Sequence, residues 1–221
     1  MNKFNTPAPI AAILDIPAGH IRFIAADRAD TTVEVLPADA SKSRDVKVAE
    51  QTTVEYADGV LRIKASAKNQ ILGSSGFIEV TVQLPAGSHV EAKAASAELR
   101  GVGRFGDVTF EGAHGSVKLD EAASVRLTTQ AGDVSVGRLG GPAEISTGKG
   151  DIRIAEAVRG AVVLRTQAGD VSVDAAAGVS ASLDAGTSYG RIHNSLKNTE
   201  GAAALTIQAT TAYGDITARS L

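Results

Sequence analysis

The chain has 221 residues, 43% of them hydrophobic, which is enough to bury a core and too apolar for a disordered chain. Glycine reaches 23 residues, aromatics fall to 4% with no tryptophan, and the formal charge is only −3. Cysteine is absent, so disulfides, thiolate metal sites and cysteine nucleophiles are excluded. Lys and Arg are interspersed with Asp and Glu throughout, without the concentrated cationic face that nucleic acid or an anionic membrane surface calls for.

The first residues, Met1 to Ile10, hold no apolar run of signal-peptide length, and Asp15 interrupts the apolar stretch from Ile10 to Ile16. The expectation is a soluble cytoplasmic protein that binds no nucleic acid and inserts into no membrane, exported only if a leader has been removed. Segments His20 to Ala26 and Thr32 to Leu36 read as strands. Ser41 to Glu50 is polar and charged and reads as a loop, with one turn of helix at most over Asp45 to Glu50. Thr53 to Tyr56 and Val60 to Ala65 read as a hairpin around Ala57-Asp58-Gly59. Lys68 to Ser75 reads as a second loop. Gly76 to Leu84 alternates cleanly, with Ile78, Val80, Val82 and Leu84 on one face.

Beyond residue 87 the chain repeats itself. Thr129-Gln130-Ala131-Gly132-Asp133-Val134-Ser135-Val136 recurs unchanged from Thr166 to Val173, with Thr147-Gly148-Lys149-Gly150-Asp151-Ile152-Arg153-Ile154 between them. Further copies are Gly106-Asp107-Val108, Gly190-Arg191-Ile192 and Gly214-Asp215-Ile216. An alternating segment lies on each side of every glycine, so each copy reads as strand, turn, strand, the unit of a β-solenoid. Glycine suits a tight corner, and the aspartate after it can accept hydrogen bonds from turn amides. The alternation predicts inward Val125, Leu127, Val134, Val136, Ile145, Ile152, Ile154, Val162, Leu164, Val171, Val173, Leu183, Ile192, Leu205, Ile207 and Ile216. Arg126, Ser135, Glu144, Arg153 and Ser172 are expected to face outward, with Glu144 one repeat beyond Arg126 in the same column. Tyr189 and Tyr213 each precede a glycine and read as aromatics packed in a wider corner.

The Asp15-Ile16-Pro17-Ala18-Gly19 opening, the Leu84-Pro85-Ala86-Gly87-Ser88 hinge and the Gly-Asp-Val repeats, in that order, resemble the bacterial β-strand-repeat family of adhesin-like proteins of unknown function. The resemblance covers nearly the whole chain and implies a β-helical stack; it carries no catalytic residues with it.

Motifs with possible chemistry resolve into the repeat. Gly101-Val102-Gly103-Arg104-Phe105-Gly106 has dinucleotide-binding spacing, but strand-like Asp107 to Phe110 follows instead of the helix that motif requires. Ser146 to Gly150 lacks both the first glycine and the final hydroxyl of a phosphate-binding loop. The column Asp107, Asp133, Asp151, Asp170 and Asp215 is too sparse for a calcium β-roll. His20, His89, His114 and His193 are scattered singly, without metal-ligand spacing. Asp174, Asp184 and Arg165 are the one set whose convergence would make a carbohydrate-cleaving site.

The sequence therefore predicts an all-β protein: an N-terminal antiparallel β region over 1–87 that caps a β-solenoid of short two-strand rungs over 88–221. It predicts no catalytic, cofactor-binding or metal residues. The expected function is that of a non-catalytic structural or interaction protein, an adhesin-like scaffold; a polysaccharide-binding or polysaccharide-cleaving β-helix is the alternative. A stack must end somewhere, and its last strands leave backbone groups unpaired. The C-terminal edge, around Leu205 to Ile207 and Ile216 to Ala218, is accordingly expected to dock a protein partner or a second copy.

Overall fold

Alternation between apolar and polar residues organises nearly every element of this computed structural model, which describes residues 1–65, 76–198 and 202–221. The strand-forming pattern is nearly unbroken, and the protein is all-β with one helix among the described residues. Contacts divide the chain into Met1–Gly115 and Ser116–Leu221. The boundary drawn from the sequence at 87/88 lies inside the first of these units.

In the first unit, β1 (Asn2–Asn5) precedes the long strand β2 (Ala11–Ala26), which is followed by β3 (Asp30–Pro37). The helix α1 (Ser43–Gln51) leads into β4 (Thr52–Ala57), β5 (Val60–Ala65), β6 (Ile78–Pro85) and β7 (His89–His114). The hairpin expected around Ala57-Asp58-Gly59 is present, with β4 antiparallel to β5 and Asp58 and Gly59 both at positive φ. Ile78, Val80, Val82 and Leu84 are all fully buried, as their alternation requires. The expectation of an antiparallel region is corrected. β2 runs parallel to β5 over Ala11–Asp15, to β6 over Gly19–Ala26, and to β7 along nearly its whole length. Among the described residues, antiparallel pairing joins β1 with β3, β3 with β6, and β4 with β5. Alternation decides which face of a strand is buried and says nothing about the direction of its neighbour.

The second correction is α1, where a loop was expected. Asp45 and Val48 are buried, and the Asp45 carboxylate accepts the Phe77 N–H at 2.9 Å. A polar side chain thus ties the helix to the chain entering β6, a long-range anchor that composition conceals. Lys68 to Ser75, the other expected loop, lies outside the described residues.

In the second unit, β8 (Val117–Ala131) begins two parallel ladders. The strands that follow are β9 (Val134–Leu139), β10 (Ala143–Lys149), β11 (Ile152–Ala157), β12 (Gly160–Ala168), β13 (Val171–Ala175), β14 (Ala181–Tyr189), β15 (Ile192–Ser195), β16 (Leu205–Tyr213) and β17 (Ile216–Ser220). One ladder runs β8–β10–β12–β16–β14 and the other β8–β9–β11–β13–β17–β15, every pairing parallel. The last two repeats are therefore exchanged in space. The final strands of the chain, β16 and β17, sit between the third repeat (β12, β13) and the repeat made of β14 and β15.

The register explains the exchange. One core column reads Leu127, Ile145, Leu164, Ala209, Ala185, and another reads Val136, Ile154, Val173, Ala218, Asn194. Side chains shrink along the stack, and the second column ends in a polar one. The 205–220 repeat still places Leu205, Ile207 and Ile216 in the core, fully buried. The 181–195 repeat has less to bury, since Asn194 occupies a core column. Placing it outermost loses least apolar burial. Its inward positions are correspondingly wet: Leu183 is half-buried and Ile192 is 45% exposed, whereas the other fourteen residues expected inward are all buried.

Candidate functional site

The repeated corners of the second unit are built from three residue types. A threonine stands three residues before each corner glycine: Thr147 before Gly150, Thr166 before Gly169, Thr211 before Gly214 and Thr187 before Gly190. Each of these hydroxyls donates to the corner glycine carbonyl of the preceding repeat, at Gly132, Gly150, Gly169 and Gly214 respectively, over 3.0–3.4 Å. Each aspartate then accepts a backbone N–H from the next repeat: Asp133 from Asp151, Asp151 from Asp170, Asp170 from Asp215, and Asp215 from Arg191, at 2.7–2.9 Å. The glycines are required by backbone contact as well as by conformation. A Cβ on Gly214 would stand 2.0 Å from the Gly169 carbonyl oxygen at a φ of +151°. The aspartate column is thus structural, and its order follows the exchanged stack. In the first unit His89 holds the equivalent place, its Nδ1 accepting the Asp107 N–H at 3.1 Å.

The other candidates separate. Gly101–Gly106 runs inside β7, with Gly103 at a φ of +90°, and Ser146–Lys149 inside β10. Asp174 is buried in β13 and accepts hydrogen bonds from Nε and Nη2 of Arg219, each at 2.8 Å, which raises the affinity of Arg219 for its proton. Asp184 lies on the other ladder, opposite Gln208. Arg165 is 3.7 Å from Glu144, which also stands 3.7 Å from Arg126, so Glu144 bridges two arginines in the outward column expected of it. Arg165 and Asp184 do share a shallow concavity of about 130 Å³ with Val163, Leu164, Gln208 and Thr210. That is well below the roughly 300–1,000 Å³ of small-molecule sites. Among the described residues no group of three or more His, Asp or Glu is placed to hold a metal ion. No helix there is long and apolar enough to cross a membrane.

The free end of the stack differs from the end expected. β16 is paired on both sides, with β12 and β14, and β17 with β13 and β15, so the C-terminal strands are not an edge and cannot be the docking surface assigned to them. Among the described residues β14 and β15 have a ladder partner on one side only. Tyr189 and Tyr213 stack face to face on the surface, centroids 5.0 Å apart and planes within 3°, rather than packing into their corners. The decline of the core columns stands in the sequence, at Ala185 and Asn194, and marks the repeat at 181–195 as the weakest.

Parallel ladders with locked corners and no convergent set of reactive groups among the described residues define an all-β repeat protein. The chain belongs to the Toastrack DUF4097 family, whose model matches residues 14–220. No curated protein matches it. Among solved structures it is similar to one described as a "putative adhesin" from Bacteroides fragilis, at 14% identity and a TM-score of 0.52, covering 98% of this chain and 95% of that one. It is also similar to one described as a "putative lipid binding protein" from Parabacteroides distasonis, at 11% identity and a TM-score of 0.49, with 98% and 95% covered.

Proposed function

We propose that the protein is a non-catalytic interaction scaffold of the adhesin-like kind, with the repeats of the second unit coiling as β-solenoid rungs. The observation that carries this reading is the use made of polar groups. The corner aspartates receive the N–H groups of the next repeat, Asp174 is held by Arg219, and Glu144 stands between Arg126 and Arg165. These carboxylates hold the stack together instead of meeting across a cleft. What is left facing outward is a polar surface on a supported backbone, including Thr128, Thr206, Gln208 and Thr210. The Bacteroides fragilis structure of the same fold, described as a "putative adhesin", supports the reading. The test is binding of the purified chain to immobilised glycans and extracellular-matrix proteins, run beside an assay for reducing ends released from the same glycans. Saturable binding without product is expected; turnover would overturn the non-catalytic reading.

A further inference from the structure

Three features meet on the repeat at 181–195. First, among the described residues it is the end of both ladders, and beyond Ala181, whose N–H donates to the Lys197 carbonyl, the outer backbone groups of β14 and β15 form an edge for strand addition. Second, apolar surface is exposed along that end: Ile192 at 45% and Tyr189 at 69%, with half-buried Leu183 below. Third, the corner chemistry reverses there. Each earlier corner presents a carboxylate that receives the N–H of the next repeat. At the last corner the position is occupied by Arg191, whose own N–H is bound by Asp215 while its guanidinium, 78% exposed, lies 3.4 Å from Asp215 Oδ2. Residues 190–198 carry Arg191, His193 and Lys197 and no acidic side chain. A strand added in the register of the stack would meet a cation where every inner strand meets an anion.

We propose that this edge docks an extended acidic segment of a partner protein by β-augmentation, with a carboxylate of that segment opposite Arg191. Backbone pairing to β15 supplies the alignment, Ile192 the apolar contact, and Arg191 the selection for charge. A second copy of this chain fits poorly. Residues 190–198 of that copy would bring no carboxylate to Arg191. The proposal rests on the interaction-scaffold reading and names its partner chemistry.

The test uses the full chain and two fluorescein-labelled peptides about ten residues long, the length of a long strand. One alternates glutamate with valine and the other lysine with valine. Fluorescence anisotropy should show saturable binding of the glutamate peptide only. Arg191→Glu should weaken it by about tenfold or more. Arg153→Glu, an exposed charge on an inner repeat, should leave it unchanged, with far-UV circular dichroism confirming that both variants fold. Binding of the lysine peptide, no loss in Arg191→Glu, or an equal loss in Arg153→Glu would each overturn the proposal. Sedimentation that shows a dimer dispersed by Arg191→Glu would assign the edge to a second copy and overturn it too. Should Arg191→Glu bind the glutamate peptide as the parent does while saturable binding to a glycan or matrix protein persists, the edge assignment fails and the scaffold reading stands. Glycan turnover is the result that removes the scaffold reading itself.

Discussion

The repeat at 205–220 and the repeat at 181–195 carry the same corner, a threonine three residues before a glycine, and differ in almost everything else. The first is clasped between two neighbours and buries Leu205, Ile207, Ala209, Ile216 and Ala218. The second, earlier in the chain, lies outside it with its β15 strand wholly exposed. Position in the stack follows the capacity to fill the core columns, not the order of synthesis. The connections accommodate the exchange by bonding to each other: the Ser180 carbonyl accepts the N–H groups of Ala204 and Leu205. The two segments that pass each other at the end of the stack therefore satisfy one another's backbone groups.

The largest expected contrast is within one core column. Ile152→Ala, at a fully buried position, should cost about 2–5 kcal/mol in urea unfolding, whereas Ile192→Ala should fall within about 0.5 kcal/mol of the parent. Equal losses would mean that the outer repeat is packed as tightly as the inner ones. Next comes the tie between β13 and β17. Arg219→Ala leaves the Asp174 carboxylate buried without its partner and should cost about 1–3 kcal/mol by thermal unfolding, with Asp174→Asn/Arg219→Ala recovering part of the loss. A smaller effect is expected on the outer surface. Glu144→Lys replaces two attractions with repulsions and should cost about 0.2–1 kcal/mol at low ionic strength, fading as salt is raised.

The smallest contrast is one of pH. In the first unit, hydrogen bonds from Arg28 and then Lys3 hold the Asp30 carboxyl below its ordinary value of 3.8. A carboxyl more acidic in the folded state stabilises above the ordinary value, and that contribution is lost as pH falls through the lowered one. Asp30→Asn should therefore narrow the stability difference between neutral and strongly acidic solution. A difference that stays the same would show that the Arg28 and Lys3 bonds do not persist in solution.

Much of this was legible in the residues. Period-two alternation placed Ile152, Ile154, Val162 and Leu164 in the core, and the 18-residue step put Glu144 beside Arg126. Three things were not. The parallel partners of β2 are remote in sequence, and alternation carries no direction. The helix α1 depends on a buried Asp45 bonded to Phe77, a contact made only by the folded chain. The exchanged order was hidden because adjacent repeats are assumed to be neighbours; the weakness of Asn194 and Ala185 as core residues was its only trace.

The absence of cysteine allows a direct test of the exchange. In the observed order Val163 on β12 faces Gln208 on β16, while Asp184 on β14 lies one strand further on. Neighbouring strands are about 4.8 Å apart and next-nearest ones about 10 Å, and a disulfide needs Cα atoms closer than about 7 Å. Val163→Cys/Gln208→Cys should oxidise readily to an intramolecular disulfide in the folded protein, and Val163→Cys/Asp184→Cys should remain reduced. The reverse pattern, with the second pair closing and the first staying open, would restore sequential stacking and contradict the account.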